Sequence, residues 1–390
     1  FPVLASAQIN TDRVMAIGRN ALYFEDYVLS IQYFNQVINA KPYLSDPYFY
    51  RGLAKINLDD FQGAESDCSE AIERNPFVVS AYQVRGLARI QQNNFAGAIE
   101  DYTKALEFDP ENIGVWHNMA LCRIRQEDYK GAKNDLDKLI AISPRYTKAY
   151  LMRGEVDLKQ KDTLAAEKDF GKAIEIDRYD ADTWASRAIL RLQQQRYKDA
   201  EADFDHAIRL STRNSGVYIN RALARYHQNN LRGAMSDYDI ALDIDPNNFI
   251  GHYNRGLLRA QVGDDNRAIQ DFNFVIEMEP DNMMAIFNRG LLLDQTGDYK
   301  GAIKDYSTVI NEYPNFLLGY QYRAQARRKI GDVKGADADE FKVLKAQLDK
   351  QNGVDPNKQT ADNTENNKTR KKSDKNMNNY RKIVVADNEE

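Results

Sequence analysis

An alanine returns every 34 residues along this chain, nine times in succession, and an aspartate three positions later keeps the same step. The alanines are Ala64, Ala98, Ala132, Ala166, Ala200, Ala234, Ala268, Ala302 and Ala336. A fixed period of this length predicts a stack of helical units, because one unit alone cannot bury its apolar face. Such an array has one continuous core and presents a long surface rather than an enclosed catalytic pocket.

The period divides residues 11–350 into ten units that follow one another without insertion or deletion. Each unit is predicted to form a helix A, a tight turn and a helix B, since the apolar spacing is helical in both halves. Asp or Asn at the turn should accept hydrogen bonds from the free amides that open helix B. These predicted caps include Asp60, Asn94, Asp128, Asp162 and Asn230. Proline, which cannot continue a helix, ends most units.

Small and aromatic residues also keep the period. Gly or Ala stands at the eighth position of most units, opposite the alanine at the twentieth, so that the two helices can approach closely. Aromatic residues at the fourth position and near the twenty-fourth, such as Tyr82 and Tyr102, are predicted to fill the space beside them. Arg at the seventh position, as in Arg221, is predicted to pair with the aspartate series and hold the helices in register.

This pattern resembles the tetratricopeptide repeat family, whose signature combines these positions with Ala at twenty-seven and Pro at thirty-two. The resemblance implies an all-α fold, a right-handed α-solenoid superhelix of helix-turn-helix units, with helix A lining the concave face. The first unit departs from the signature at Ser30 and Tyr33, as a degenerate capping unit would. The fifth and sixth units end in Arg178 and Thr212 instead of proline, which allows a local change of curvature there.

The search for catalytic chemistry finds no motif. The sequence has no phosphate-cradling glycine loop, no histidine pair four residues apart and no Cys-x-x-Cys. No catalytic residue, metal site or cofactor is predicted, and we expect a protein that is not an enzyme. The formal net charge of -5 argues against nucleic acid as the main partner. No apolar run reaches the roughly 20 residues of a membrane-spanning helix, and Cys68 and Cys122 are predicted to be buried apolar residues.

The sharpest functional signal is an asparagine at the sixth position of helix A. It occurs as Asn118, Asn220, Asn254 and Asn288, the last three in consecutive units. In the family this position lies on the concave face, and several relatives use asparagines there to hold the backbone of an extended peptide. A side-chain amide has one acceptor and two donors, which suits a peptide group of any sequence. The alternative is that these residues only stabilise helix A or face water.

Apolar residues should lie on the same face as these asparagines. They are Ile219, Tyr226, Tyr253, Met284 and Phe287. Beside backbone-binding amides, such a surface could hold the apolar side chains of a partner peptide. Part of the set could equally serve packing between neighbouring units.

The two ends of the chain depart from the repeat. Residues 1–10 are predicted to be an N-terminal arm or the remnant of a secretory signal cut after Ala7, since Ala5 and Ala7 follow an apolar stretch. Residues 351–390 contain nine asparagines, eight basic and seven acidic residues, which predicts a polar tail or linker. The apolar run that follows Tyr380 suggests a short strand at 380–386, which could begin a further domain or join the sheet edge of a partner.

These features predict a non-enzymatic scaffold that binds a protein or an extended peptide in a concave groove, within a multi-protein complex. If the signal is genuine, the protein works outside the cytoplasm; otherwise we expect a cytoplasmic protein. A bacterial periplasm would fit, within an envelope or secretion-related assembly. The alternative is a regulatory or substrate-recruiting subunit of an enzyme whose catalytic part lies elsewhere. Catalysis by the chain itself is the third alternative.

Overall fold

The computed structural model describes residues 10–210, 213–352, 377 and 379–386. Within these ranges the chain forms twenty α-helices and no β-strand. Consecutive helices pair as antiparallel hairpins, one for each 34-residue unit, and each hairpin stacks on a neighbour within its body. The predicted all-α solenoid of helix-turn-helix repeats is confirmed.

Odd-numbered helices are the predicted helices A and even-numbered helices are the predicted helices B. Their bounds are α1 Thr11–Tyr23, α2 Tyr27–Ala40, α3 Asp46–Ile56, α4 Phe61–Arg74, α5 Val79–Gln91, α6 Phe95–Phe108, α7 Ile113–Arg125, α8 Tyr129–Ile142, α9 Thr147–Lys159 and α10 Thr163–Ile176. The remaining ten are α11 Ala181–Gln193, α12 Tyr197–Arg209, α13 Ser215–His227, α14 Leu231–Ile244, α15 Phe249–Gln261, α16 Asp265–Met278, α17 Met283–Thr296, α18 Tyr299–Glu312, α19 Leu317–Lys329 and α20 Val333–Gln351.

The chain divides into two compact bodies, Phe1–Tyr179 and Asp180–Glu390. The N-terminal body contains α1–α10, and the C-terminal body contains α11–α20 together with the described part of the tail. The division follows Arg178, at the first of the two unit ends that lack proline.

The turn between helices A and B has a positive φ at the fifteenth position of the unit in all ten units. A positive φ is uncommon for residues other than glycine, and those that adopt it lie mostly in the left-handed region. Seven units use a non-glycine residue with φ between 59° and 65°, and three use Gly263, Gly297 or Gly331. The next residue caps helix B in most units. The predicted caps that accept the expected amide hydrogen bond are Asp60, Asn94, Asp128, Asp162, Asn230, Asp298 and Asp332. Asp264, at the same position, makes no such hydrogen bond, so the prediction is wrong there.

Close contact between helices A and B explains the small residues of the period. The nine periodic alanines are fully buried. At Gly154, a Cβ atom would lie 2.6 Å from Cε1 of Phe170, a distance that real Cβ atoms essentially never show. Glycine at the eighth position therefore lets an aromatic side chain of helix B lie against the backbone of helix A.

The predicted arginine–aspartate pairing is present both within and between units. Arg221 donates from Nη2 and Nε to the two carboxylate oxygens of Asp237 in its own unit, at 2.6 and 2.9 Å. Its Nη1 donates to Asp205 of the preceding unit at 2.7 Å. Burial raises the pKa of Asp237, although its hydrogen bonds with Arg221 favour the charged form. The bidentate bond holds the two helices of one unit in register, and the single bond to Asp205 links that unit to the one before it.

Both cysteines are free and buried, as predicted. Burial raises the pKa of the Cys68 thiol to about 12 and that of Cys122 to about 11. Neither thiol is therefore appreciably ionised at neutral pH.

Candidate functional site

Three asparagines of the C-terminal body are buried in the first half of consecutive A helices. Asn220 of α13 and Asn254 of α15 are fully buried, and Asn288 of α17 is 5% exposed. A buried amide must find hydrogen-bond partners, because leaving its donors and acceptor unpaired is costly. The partners of these three side chains lie in the C-terminal tail, which lies against the A helices of this body. We call these three residues the asparagine ladder, and the surface that they share the groove.

Asn220 and Asn254 each form a two-way hydrogen bond with one residue of the tail. Nδ2 of Asn254 donates to the carbonyl of Val384 at 2.7 Å, and the Val384 amide donates back to Oδ1 at 2.8 Å. Asn220 repeats this arrangement with Ala386, at 2.8 and 2.9 Å. Asn220 and Asn254 thus each pair with the main-chain N–H and C=O of one tail residue. These hydrogen bonds do not depend on the side chain of that tail residue.

Asn288 binds the tail with the help of a neighbouring tyrosine. Its Nδ2 donates to the carbonyl of Tyr380 at 2.6 Å. The hydroxyl of Tyr253 donates to the same carbonyl at 2.7 Å. Burial raises the pKa of the Tyr253 phenol, so this hydroxyl stays protonated and remains a donor at neutral pH. One tail carbonyl is therefore held by two buried donors from adjacent units.

The tail runs opposite to the order of the repeats, from α17 at Tyr380 to α13 at Ala386. Residues 382–386 have no assigned secondary structure, so the short strand predicted at 380–386 is absent from the described residues. The physical reason is the lack of a neighbouring strand: side-chain amides from three helices take the place of a sheet partner. Residues 1–9, 353–376, 378 and 387–390, which cover most of the predicted arm and tail, lie outside the described residues.

The tail side chains that enter the groove are spaced by three residues. Met377, Tyr380, Ile383 and Ala386 are each at most 9% exposed, whereas Val384 and Val385 are about two-fifths exposed. The ring of Tyr380 meets Phe287 edge to face, with centroids 4.8 Å apart. Burial raises the pKa of the Tyr380 phenol.

The apolar residues predicted for this face lie around the tail. Phe287 and Met284 pack in the cluster that includes Tyr380, and Ile219 packs in the cluster that includes Ala386. Tyr226 borders the clusters of both Ile383 and Ala386, and its hydroxyl donates to Gln261 at 2.7 Å. The structure therefore brings five predicted residues and three predicted asparagines together in the C-terminal body.

The fourth predicted asparagine is placed elsewhere. Asn118 lies on α7 in the N-terminal body, half-buried, and none of the described tail residues belongs to that body. The sixth position is Ser186 in the unit before the ladder and Tyr322 in the unit after it. The ladder in the C-terminal body therefore consists of three consecutive asparagines between two other residue types.

A cavity beside the tail adds residues that the sequence reasoning did not select. Its volume is about 390 Å³. The residues that line it are Tyr226, Leu257, Ala260, Gln261, Phe272, Asn288, Leu291, Leu292, Gln295, Arg381 and Ile383. Leu257 and Leu291 occupy the ninth position of their units, and Gln261 and Gln295 the thirteenth. In the family that the sequence resembles, the ninth and thirteenth positions of a unit line the concave face together with the sixth, and this was the signal available in the sequence.

The histidines and carboxylates of the described residues do not form a metal centre. No group of three potential ligands there has a suitable arrangement. His252 bonds to Asp271 and to the carbonyl of Pro246, both at 3.0 Å, while His227 stacks on Tyr197. Over the same described residues, no helix is both long and apolar enough to cross a membrane.

Comparisons with known proteins were made for sequence and for structure. Sequence models of the TPR repeat match 86–122, and those of the tetratricopeptide repeat match 113–146, 147–180, 186–249 and 253–315. These matches together cover more than half of the chain. The comparison with curated proteins gave no match.

Several solved structures are similar to part of this chain. A tetratricopeptide repeat protein from Parabacteroides merdae is 21% identical, with a TM-score of 0.50, and the alignment covers 64% of this chain and 98% of that chain. The C-terminal part of a TPR repeat-containing protein from Cytophaga hutchinsonii is 18% identical over 59% of this chain and 95% of that one, with a TM-score of 0.49. For pilF of Pseudomonas aeruginosa the identity is 20%, the coverages are 52% and 92%, and the TM-score is 0.45.

Proposed function

Because the chain belongs to the tetratricopeptide repeat family, whose folds serve as protein-interaction scaffolds, we propose that its C-terminal body binds an extended peptide through the asparagine ladder. We propose further that the protein acts by binding alone, without catalysis. The observation that carries this proposal is the pairing of Asn220 and Asn254 with both main-chain polar groups of Val384 and Ala386. The tail is then a ligand attached to its own receptor.

The geometry of the ladder supports binding that tolerates many sequences. Two of its three members contact an amide and a carbonyl of one residue, groups that every non-proline residue has. Buried donors and acceptors also make the site selective for an extended backbone, because a helical peptide has already used these groups internally. A scaffold that receives different partners needs this combination of backbone affinity and sequence tolerance.

The attached tail should compete with any free peptide. A tethered segment acts as though it were present at roughly millimolar concentration. A binding test therefore needs a full-length chain whose groove is open. Replacing Tyr380 and Ile383 together by Asp places two charges in buried apolar positions, which should expel the tail because such burial is strongly unfavourable. We call this double variant the tail-released chain.

The test is binding of a fluorescent peptide with the sequence of residues 377–386, followed by fluorescence anisotropy. We expect binding to the tail-released chain and much weaker binding to the unmodified chain. N-methylation of the peptide at Val384 removes the N–H that donates a hydrogen bond to Oδ1 of Asn254. This change should weaken binding by about 5-fold or more. N-methylation at Val385 is the control, since no hydrogen bond from that amide to the groove is described.

Two results would contradict the backbone-binding proposal. One is equal loss of affinity from N-methylation at Val384 and at Val385. The other is unchanged affinity when Asn220 and Asn254 are both replaced by Ala in the tail-released chain. Circular dichroism of each variant shows whether the repeats are intact. A Val384→Pro chain, which lacks the same amide, provides a second way to open the groove.

We also propose that the protein works outside the cytoplasm, in an envelope or secretion-related assembly. The support is the Ala5-Ser6-Ala7 sequence after an apolar stretch, which resembles the end of a secretory signal. Intact-mass measurement of the protein from its native source should then find a chain beginning at Gln8. A native chain that retains residues 1–7, recovered from the cytoplasmic fraction, would contradict this proposal.

A further inference from the structure

The groove contacts the tail in two chemically separate ways. The asparagine ladder holds main-chain atoms, as described above, while apolar residues surround one tail side chain in every three. The first kind of contact supplies affinity for a backbone, and the second can distinguish one sequence from another. The side-chain contacts therefore indicate what kind of peptide fits.

The position of Tyr380 receives an aromatic ring. Phe287, which is fully buried, presents its ring edge to face at 4.8 Å. The partly buried Tyr322, the sixth-position residue of the next unit, belongs to the same cluster and lies 5.9 Å from Phe287, centroid to centroid. Aromatic pairs in this arrangement contribute beyond the area that they bury. An aromatic side chain is the best match for this position.

The position of Ile383 has more room than the tail uses. Ile383 packs in the cluster that includes Leu192, Leu223 and Leu257. It also forms part of the wall of the cavity of about 390 Å³, whose lining includes Leu291 together with the polar Gln261 and Gln295. An isoleucine side chain leaves this volume unfilled, and the neighbouring Arg381 is exposed. A larger apolar side chain at this position would bury more of the leucine surface.

The position of Ala386 is narrow. Ala386 is 3% exposed and lies in the cluster of Ile219, Ala222 and Leu258, beside its hydrogen bonds to Asn220. The intervening Val384 and Val385 extend outward and are 41% and 39% exposed. After Met377, the groove therefore distinguishes three tail positions, Tyr380, Ile383 and Ala386, at a spacing of three residues, and the side chains of residues 381, 382, 384 and 385 between them are exposed.

We propose that the partner is an extended segment of another protein with an aromatic residue, a large apolar residue three positions later and a small residue after three more. The segment runs from α17 towards α13, opposite to the order of the repeats. This proposal rests on the proposed function, since it assumes that the ladder holds the backbone. The unfilled cavity favours another protein over the tail as the best occupant, because a bulkier side chain would displace Ile383.

The test measures binding of peptide variants of residues 377–386 to the tail-released chain. We expect Ile383→Phe in the peptide to bind about 3- to 30-fold more tightly, because the ring buries additional apolar surface. Ile383→Ser should bind about 10- to 100-fold less tightly for the opposite reason. Val385→Phe and Val385→Ser are the matched controls, with affinities expected within about 3-fold of the parent peptide.

The outcomes separate this proposal from the one on which it rests. Equal affinities of the Ile383→Ser and Val385→Ser peptides would overturn the side-chain pattern, whereas the effect of N-methylation at Val384 would still support backbone binding. A Phe peptide that binds tenfold less tightly than the parent would show that the cavity does not receive this side chain. A peptide of the same composition in scrambled order should bind at least tenfold less tightly, and equal binding would also overturn the pattern.

Light scattering tests a second copy of the chain as the occupant. We expect the unmodified chain and the tail-released chain to have the same mass in solution across a range of concentrations. A larger assembly of the unmodified chain that dissociates in the tail-released chain would show that tails exchange between copies. That result would overturn the proposal of another protein as partner.

Discussion

Replacing Asn254 by alanine tests whether the ladder holds the tail as one cooperative segment. The substitution removes two hydrogen bonds to Val384, of 2.7 and 2.8 Å. A neutral hydrogen bond contributes a net of about 0.5–1.5 kcal/mol, so the loss should be about 1–3 kcal/mol. Val384 is 41% exposed, and water can pair with its released groups. The ratio of docked to undocked tail should then fall about 5- to 150-fold.

The measurement is hydrogen–deuterium exchange of the Ala386 amide in the full-length chain. This amide donates to Asn220, which the substitution leaves unchanged. If the tail leaves the groove as a unit, exchange at Ala386 should accelerate by the same factor as the docking ratio falls. Exchange at Val384 itself is less informative, because the substitution removes its acceptor directly.

Asn118→Ala is the matched control. It changes the same residue type at the same repeat position, on α7 of the N-terminal body. Exchange at Ala386 should be unaffected by it. An Asn254→Ala chain whose Ala386 amide exchanges at the unmodified rate would refute the reasoning, since it would show that the ladder contributes nothing to docking beyond its local bonds.

Two further predictions concern the repeats, and urea unfolding monitored by circular dichroism checks both. Gly154→Ala should lower the free energy of unfolding by about 1–3 kcal/mol, because its Cβ would overlap Phe170. Gly171→Ala is the control, because its Cβ would meet no atom within 4 Å, and it should raise the free energy of unfolding by up to about 1 kcal/mol. A Gly154→Ala chain that is more stable than the unmodified chain would contradict the packing argument. Asp237→Ala should lower the free energy of unfolding by about 3–5 kcal/mol, because it leaves Arg221 and Arg225 without a buried partner. Asp243 is exposed, and Asp243→Ala should change the free energy of unfolding by less than about 0.5 kcal/mol. Equal effects of Asp237→Ala and Asp243→Ala would refute the structural role of the arginine–aspartate pairing.

Much of the fold was predictable because the period repeats the same physical requirement in each unit. Gly154 and Ala166 had to be small for two helices to meet, and Asp162 had to cap the second helix. The pairing of the arginines with the aspartate series was predictable for the same reason, and the structure decided that Arg221 makes its bidentate bond with Asp237 of its own unit. A local rule that is met in every unit leaves a strong sequence signal.

The candidate site was predictable only in part. The sixth position varies between most units, but it is asparagine in three consecutive ones, and this is why Asn220, Asn254 and Asn288 could be selected. Their partners could not, because the contacts with the tail join residues 92 to 166 positions apart along the chain. Polar composition favoured a tail without fixed contacts, and the few apolar residues near Tyr380 suggested only a strand.

The amino-acid sequence by itself determined the repeat, the turns, the small and charged positions of each hairpin and the face on which the asparagines lie. These features depend on neighbours within one unit or the next, which the 34-residue period specifies. Only the tertiary structure decided that the tail runs through the groove against the order of the repeats, and which of its side chains enter. That outcome depends on the match between a distant segment and the surface formed by three stacked helices. No spacing within the sequence encodes it.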